Sequence, residues 1–200
     1  VAKGWQKATG EGPERGADAI APIAPTAGAV MSASTRSVLF LNLNLNLDLD
    51  DFTEIWAQVF DDKAKGHLKA LDDEFNPLYC MSSSWTRQMN GGAMVATLRQ
   101  TGLGFVADNL HETWETVKAY SEVRAHEIRN WLNKHPDFAA NWIALDDMAS
   151  GTGLARWPHA KDRSCIVLCE VNVGLTDTEY LALRAAFQYR RDTTLRGTSS

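Results

Sequence analysis

Hydrophobic positions in this chain form short continuous runs that alternate with longer stretches of helical periodicity. Continuous apolar runs predict buried strands at residues 38–43, 77–81, 104–107, 141–145 and 164–171. Apolar positions repeated every three or four residues predict helices at residues 52–75, 86–101, 121–133 and 176–190. Strands that alternate with helices favour an α/β fold with a mostly parallel sheet and right-handed crossovers.

Polar clusters follow three of the predicted strands at the point where each strand ends. These clusters are Asn42 with Asn44, the serines at residues 82–84, and the acid pair Asp146-Asp147. In a parallel sheet the carboxyl ends of the strands meet at one edge, which is where ligands bind. The clusters are therefore expected to converge on one cleft.

The acid pair Asp146-Asp147 is the most informative of these clusters. Carboxylates at the end of a buried strand cost desolvation energy unless a cation or hydrogen bonds compensate them. Oxygen ligands on a rigid strand end suit Mg²⁺, which binds to one or two carboxylates and keeps several waters. The alternative interpretation is structural, in which the two acids cap the strand and begin a loop.

Composition places the chain among ordinary globular proteins. It has 200 residues, 44% of them hydrophobic and 22% charged, which is enough for one α/β domain. The net charge of −5 provides no overall basic field for nucleic acid, although a local basic patch is compatible with it. Cys80 and Cys165 are predicted to be small buried hydrophobes, and Cys165 lies too far from Cys169 to form a disulfide. This cysteine pattern favours a reduced, cytoplasmic compartment.

The ends of the chain differ in composition from its middle. Residues 1–35 are rich in Ala, Gly, Pro, Ser and Thr, so we expect a disordered or loosely docked arm, with Met31 a candidate natural start. Residues 36–192 form the predicted domain, and residues 193–200 a flexible tail. Prolines interrupt the apolar residues 19–25, so no membrane span and no membrane partner are expected there.

Four segments, in this order, resemble the haloacid dehalogenase-like (HAD) phosphatase superfamily. They are the first strand 38–41 with Asn42, the Ser-Ser-Ser-Trp-Thr-Arg run 82–87, the basic helix 124–132, and the strand 141–147 with its acid pair. The likeness is greatest to small HAD domains with Ser-Ser-Trp after the second strand, which occur in some nucleic-acid repair and nucleotidase-like proteins. It implies a Rossmann-like three-layer sandwich without a large cap.

The resemblance also implies roles for individual residues. Ser82 and Ser83 would bind phosphate, with Arg124 as the accompanying cation and Lys118 as its alternative. Asp146 and Asp147, together with the first residue of the Asp-x-Asp motif, would bind Mg²⁺. The activity implied is hydrolysis of a phosphomonoester through an aspartyl-phosphate.

The first motif departs from the family pattern. The family uses one Asp as nucleophile and a second Asp two residues on as general acid and base. The aligned residues here are Asn42 and Asn44, which carry no charge and are poor nucleophiles. An alternative alignment uses Asp48 and Asp50, but it would place three amides in or beside the central strand, each needing hydrogen-bond partners. We therefore favour the alignment with Asn42 and Asn44.

Two functions remain as hypotheses from the sequence. The first is a Mg²⁺-dependent phosphatase-like domain that acts on a phosphorylated small molecule or nucleic-acid end, or that only binds it because the two asparagines inactivate the site. The second is a non-catalytic pseudophosphatase that keeps the fold as a binding module, with a protein partner. The basic loop 150–163 is expected to be a solvated loop, and the alternative is that it covers the cleft or touches a phosphate.

Overall fold

The computed structural model describes residues 36–42, 61–87, 89–116, 123–171 and 173–197, with the backbone alone at Ser84 and Trp85. All of them belong to one compact unit. The predicted N-terminal arm and most of the segment between the first strand and the first helix lie outside the described residues. The expected absence of a large cap therefore stays a prediction.

Five parallel strands form the central sheet in the part of the chain that the structure describes. In chain order they are β1 (Val38–Leu41), β2 (Leu78–Met81), β3 (Leu110–Glu115), β4 (Trp142–Asp147) and β5 (Ile166–Cys169). Their spatial order is β3-β2-β1-β4-β5, and every neighbouring pair is parallel. This arrangement confirms the predicted α/β Rossmann-like fold.

Helices connect these strands. They are α1 (Asp62–Phe75), α2 (Gly91–Gln100), α3 (Gly104–Asp108), α4 (Arg124–Lys134), α5 (Ala160–Arg163) and α6 (Asp177–Gly197), with short 3₁₀ turns at Ser84–Arg87, Pro136–Phe138 and Leu154–Arg156. None of the described helices is both long enough and apolar enough to cross a membrane.

The sheet separates two hydrophobic cores, because successive side chains of a strand point to opposite faces. Leu39 and Leu41 of β1 pack in the core that α1, α2, α3 and α6 cover. Val38 and Phe40 pack in the other core, where α4 contributes Trp131. The first core is mainly aliphatic, whereas the second is rich in tryptophan and phenylalanine. Both faces of β1 are thus buried, which explains its continuous apolar run.

Capping residues explain where two of the helices begin. Asn90 accepts a hydrogen bond from the Ala93 N–H, so α2 begins at Gly91 rather than at residue 86. Thr176 and Glu179 form a capping box, in which the Thr176 N–H donates to Glu179. From this start α6 continues to Gly197, beyond the predicted end at residue 190, so residues 193–197 are helical.

The prediction of a strand at residues 104–107 is wrong, because this segment forms α3. Leu103 and Val106 are buried three residues apart, which is a helical spacing. The third strand is instead β3, whose sequence Leu-His-Glu-Thr-Trp-Glu contains few apolar residues. β3 lies at the edge of the sheet and is only partly buried, so it lacks the continuous apolar run of an internal strand.

The three cysteines are free and buried, which confirms the predicted burial of Cys80 and Cys165. Burial raises the pKa of the Cys80 thiol well above its ordinary value and raises that of Cys169 to about 12. A thiol with a raised pKa is a poor nucleophile at neutral pH. The cysteines therefore serve packing.

Candidate functional site

The carboxyl ends of β2, β1 and β4 lie side by side, as the sequence predicts. The Ser82 N–H donates to the Leu41 carbonyl at 3.0 Å, and the Asn42 N–H donates to the Leu145 carbonyl at 3.0 Å. In the register between β1 and β4, Leu41 pairs with Leu145, so Asn42 comes next to Asp146. Backbone pairing alone thus brings the serines, Asn42 and the acid pair to one edge of the sheet.

The Asn42 side chain lies against both acids. Its Nδ2 is 2.5 Å from Asp146 Oδ1 and 3.2 Å from Asp147 Oδ2, and it is 2.6 Å from the Ser150 hydroxyl. Asp146 and Asp147 are almost completely buried. The amide therefore donates hydrogen bonds to two buried carboxylates at once.

The loop after β4 folds back over the acid pair. The Ala149 and Ser150 N–H groups both donate to Asp147 Oδ1 at 2.8 Å. The Ser150 hydroxyl lies 2.7 Å from Asp146 Oδ1 and also contacts Asp147 Oδ2. Gly151 allows this close approach, since a Cβ at that position would lie 2.7 Å from the Asp147 carbonyl oxygen. The predicted solvated loop is therefore packed where it meets the site.

Arg124 supplies the positive charge at the site. Its Nε donates to Asp146 Oδ2 at 3.1 Å, and its Nη1 donates to Glu127 Oε2 at 2.5 Å. Only 10% of the Arg124 side chain is exposed, so it is not a solvated helix residue. Thr152 holds the start of α4 in place, because it accepts hydrogen bonds from the Arg124 and Ala125 N–H groups. The guanidinium thus joins two buried carboxylates.

Burial dominates the electrostatics of Asp146. It raises the pKa of this carboxyl above its ordinary value, because the charged form loses solvation. The Arg124 guanidinium and the hydrogen bonds from Ser150, Asn42 and the Asp147 N–H oppose that rise. The donors around the acid pair therefore reduce a desolvation cost without removing it.

The serines that follow β2 are buried beside Asn42. Ser82 is 1% exposed, and its hydroxyl has no hydrogen-bond partner among the residues that the structure describes. Ser83 is also buried, and its carbonyl accepts from the Thr86 hydroxyl at 2.9 Å. Farther out, Arg87 is half exposed, with its guanidinium 4.0 Å from Glu127. Buried polar side chains therefore adjoin the acid pair, and among the described residues the Ser82 hydroxyl is unsatisfied.

The structure brings together Asn42, Ser82, Ser83, Arg124 and the acid pair. The remaining predicted site residues, which are Asn44, Asp48, Asp50 and the alternative cation Lys118, lie outside the described residues.

Sequence reasoning missed Ser150, Thr152 and Glu127. Ser150 follows Asp146 by four residues and Glu127 follows Arg124 by three, but neither spacing is specific enough to assign a contact. Their positions depend on how the loop after β4 folds onto α4.

A family model described as the HAD domain in Swiss Army Knife RNA repair proteins matches residues 37–180, which is most of the chain. The chain belongs to this family. No curated protein and no solved structure matches it significantly. The matched range includes the whole sheet and every described residue of the site. The HAD family suggests a phosphatase-like function in RNA repair.

HAD domains generally use Mg²⁺, and carboxylate, amide and hydroxyl oxygens are suitable ligands for this ion. The arrangement of Asn42, Asp146 and Asp147 nevertheless does not fit a cation, because an amide N–H donor lies between the two carboxylates. Among the described residues there is also no group of three or more His, Cys, Asp or Glu side chains placed to hold a metal.

Proposed function

We propose that this HAD domain binds a phosphomonoester, at a nucleic-acid end or on a nucleotide, and does not hydrolyse it through Asn42. The RNA-repair family supports a phosphorylated RNA end as the ligand. The asparagine at the end of β1 supports binding without turnover, since an amide is a very poor nucleophile and forms no aspartyl-phosphate. The domain is then a pseudophosphatase that keeps the recognition part of the site.

The buried Ser82 hydroxyl is the observation that carries this proposal. A buried hydroxyl without a partner costs roughly 1–3 kcal/mol, and a native fold rarely keeps one without a reason. A phosphate oxygen would accept a hydrogen bond from this hydroxyl. Ser82 also lies directly beside the end of β1, where the Ser82 N–H meets the Leu41 carbonyl.

The charges at the rim are compatible with this ligand. Arg124 borders the acid pair, and Arg87 extends its half-exposed guanidinium from the turn that follows the serines. Guanidinium groups recognise phosphate through charge-assisted hydrogen bonds. Arg87 is free to turn from Glu127 toward a phosphate, because its present separation of 4.0 Å is long for an ion pair.

Binding of RNA oligonucleotides that differ only in their ends tests the proposal. Fluorescence anisotropy should show tighter binding of 5′- or 3′-phosphorylated RNA than of the matching hydroxyl-ended RNA. Ser82→Ala should weaken the phosphorylated ligand about 10-fold or more, since a hydrogen bond to a charged group contributes roughly 1.5–3 kcal/mol. Ser164→Ala is the matched control, because Ser164 is exposed and its hydroxyl forms hydrogen bonds with the Lys161 carbonyl and Cys165, away from the acid pair.

Two results would contradict the proposal. Equal affinity for phosphorylated and hydroxyl ends would leave a binding module that does not recognise phosphate. Release of inorganic phosphate that is abolished by Asp48→Ala would instead identify an active enzyme in the alternative alignment.

A further inference from the structure

An amide and two carboxylates share one small volume where β1 and β4 end. The Asn42 Nδ2 lies 2.5 Å from Asp146 Oδ1 and 3.2 Å from Asp147 Oδ2. A cation bound by both carboxylates would have to lie close to the same position. An N–H group and a cation are alternatives there, because each presents positive charge to the same oxygen atoms.

The other oxygen atoms of the acid pair already have donors. Arg124 Nε donates to Asp146 Oδ2, and the Ala149 and Ser150 N–H groups donate to Asp147 Oδ1. Asp146 Oδ1 also accepts from the Asp147 N–H at 2.8 Å. Each carboxylate oxygen therefore has at least one donor, and the pair is satisfied by the protein alone.

The net charge of the side chains at this position also disfavours a bound divalent cation. An aspartate at position 42 would give three converging carboxylates, whereas Asn42 leaves two, and Arg124 balances one of them. Affinity for a divalent cation falls as the charge of its ligands falls. A cation that entered would also have to break the hydrogen bonds of the Asn42 amide.

We propose that the Asn42 amide takes the place of a divalent cation, so that this domain holds its acid pair without metal and becomes metal-dependent on the single substitution Asn42→Asp. This inference concerns the cation alone and does not depend on which ligand binds beside Ser82. Mg²⁺ is therefore a sufficient probe, and failure here is distinguishable from failure of RNA binding.

Thermal unfolding of the full chain in EDTA and in millimolar Mg²⁺ tests the proposal. The wild-type Tm should be the same in both solutions. Asn42→Asp should lower the Tm in EDTA by about 4–8 °C, because it removes a donor and adds a like charge beside two buried carboxylates. Mg²⁺ should restore that loss, and titration calorimetry should detect Mg²⁺ binding to this variant alone.

A matched control uses the buried asparagine at the other end of this strand pair. Asn141 immediately precedes β4, at the amino ends of β1 and β4, where its Oδ1 accepts from the Ser37 hydroxyl. Asn141→Asp makes the same chemical change away from the acid pair, so its Tm should not respond to Mg²⁺. A rise equal to that of Asn42→Asp would mean nonspecific stabilisation and would overturn the proposal.

A double variant keeps the test decisive even where Asn42→Asp fails to fold. Asn42→Asp combined with Asp147→Asn retains two carboxylates and one amide, so it should fold in EDTA with a Tm that Mg²⁺ leaves unchanged. The proposal is wrong where Mg²⁺ raises the wild-type Tm or that of the double variant, or where folded Asn42→Asp does not respond.

Discussion

The central strands β1 and β4 have a buried polar contact at each end, and the two contacts differ in charge. At the amino end, Ser37 donates to Asn141 Oδ1 at 2.5 Å, and both groups are neutral. At the carboxyl end, Asn42 donates to two buried carboxylates, and Arg124 is the only cation that the described residues place in hydrogen-bond contact with them. Polar burial by itself therefore does not mark a site, whereas an excess of buried charge does.

Two arginines, one at each end of these strands, differ in the kind of group that they contact. Arg36, at the amino end, donates to the Asn76 and Pro77 carbonyls and to the side chains of Asn76 and Asn109, all of them neutral. It ties the turn after α1 to the start of β3. Arg124 instead lies between Asp146 and Glu127 and forms an ion pair with each of them. Arg36 mainly connects loops, and its charge only opposes the rise that burial causes in the pKa of Asp72, whereas Arg124 is hydrogen-bonded directly to two buried carboxylates.

Removing each guanidinium should separate the two roles, and this is the largest expected effect. Arg124→Ala leaves two buried carboxylates without their cation, which should cost about 3–5 kcal/mol of unfolding free energy. Arg36→Ala should cost only about 1–2 kcal/mol, because its acceptors are neutral and partly reached by water. Urea denaturation measures both values. Equal losses would mean that the carboxyl-end cluster carries no special electrostatic cost.

A smaller effect is expected from the glycine that lets the loop approach the acid pair. Gly151→Ala places a Cβ 2.7 Å from the Asp147 carbonyl oxygen and 2.8 Å from Leu168. The loop must shift, at a cost of about 1–3 kcal/mol, and Ser150 moves with it. The control is Gly66→Ala, where a Cβ meets nothing within 4 Å inside α1.

The control should gain about 0.5–1 kcal/mol, because alanine is the better helix former. Urea denaturation of the two variants gives the comparison. A Gly151→Ala protein as stable as the wild type would show that the loop after β4 is not fixed against the acid pair.

The internal strands were predictable because burial on both faces leaves a direct trace in the sequence. The apolar runs of the internal strands β1, β2 and β4 needed no knowledge of their neighbours, and the edge strand β5 was predicted because it also keeps an apolar run. β3 was not predictable, since an edge strand is stabilised by pairing with β2 and can consist mainly of polar residues. The segment 104–107 was wrongly predicted to be a strand, because a short apolar run is compatible with a strand and with a buried helix alike.

The residues of the candidate site also include some that were predictable from the sequence and some that were not. Asn42, Ser82 and Asp146 were predictable because each follows a strand of the same parallel sheet, and topology alone brings such residues together. Ser150 and Glu127 were not, because their contacts depend on the path of the loop after β4. That path depends on Gly151 and on Gly153, whose φ of +79° favours glycine. Such tertiary detail leaves only weak traces in local sequence.

The smallest expected effect is on the pH dependence of stability, which tests specifically the buried charge at the carboxyl end of β1 and β4. Burial raises the pKa of Asp146 in the folded protein, so over a window above its unfolded pKa the folded state keeps a proton that the unfolded state has lost. Stability should therefore fall as pH rises from the unfolded pKa of Asp146 through its folded pKa.

Asp146→Asn abolishes this titration, so its stability curve should lack that decrease, which is at most about 1.4 kcal/mol per pH unit for one proton. Ser37→Ala at the neutral edge should give a curve parallel to the wild type. Carboxylates with lowered pKa values, such as Glu74 and Asp177, contribute the opposite slope, but they do so in all three proteins and cancel in the comparison. Urea denaturation across the acidic range measures the curves. Parallel curves for the wild type and Asp146→Asn would show that the donors around Asp146 fully compensate its burial.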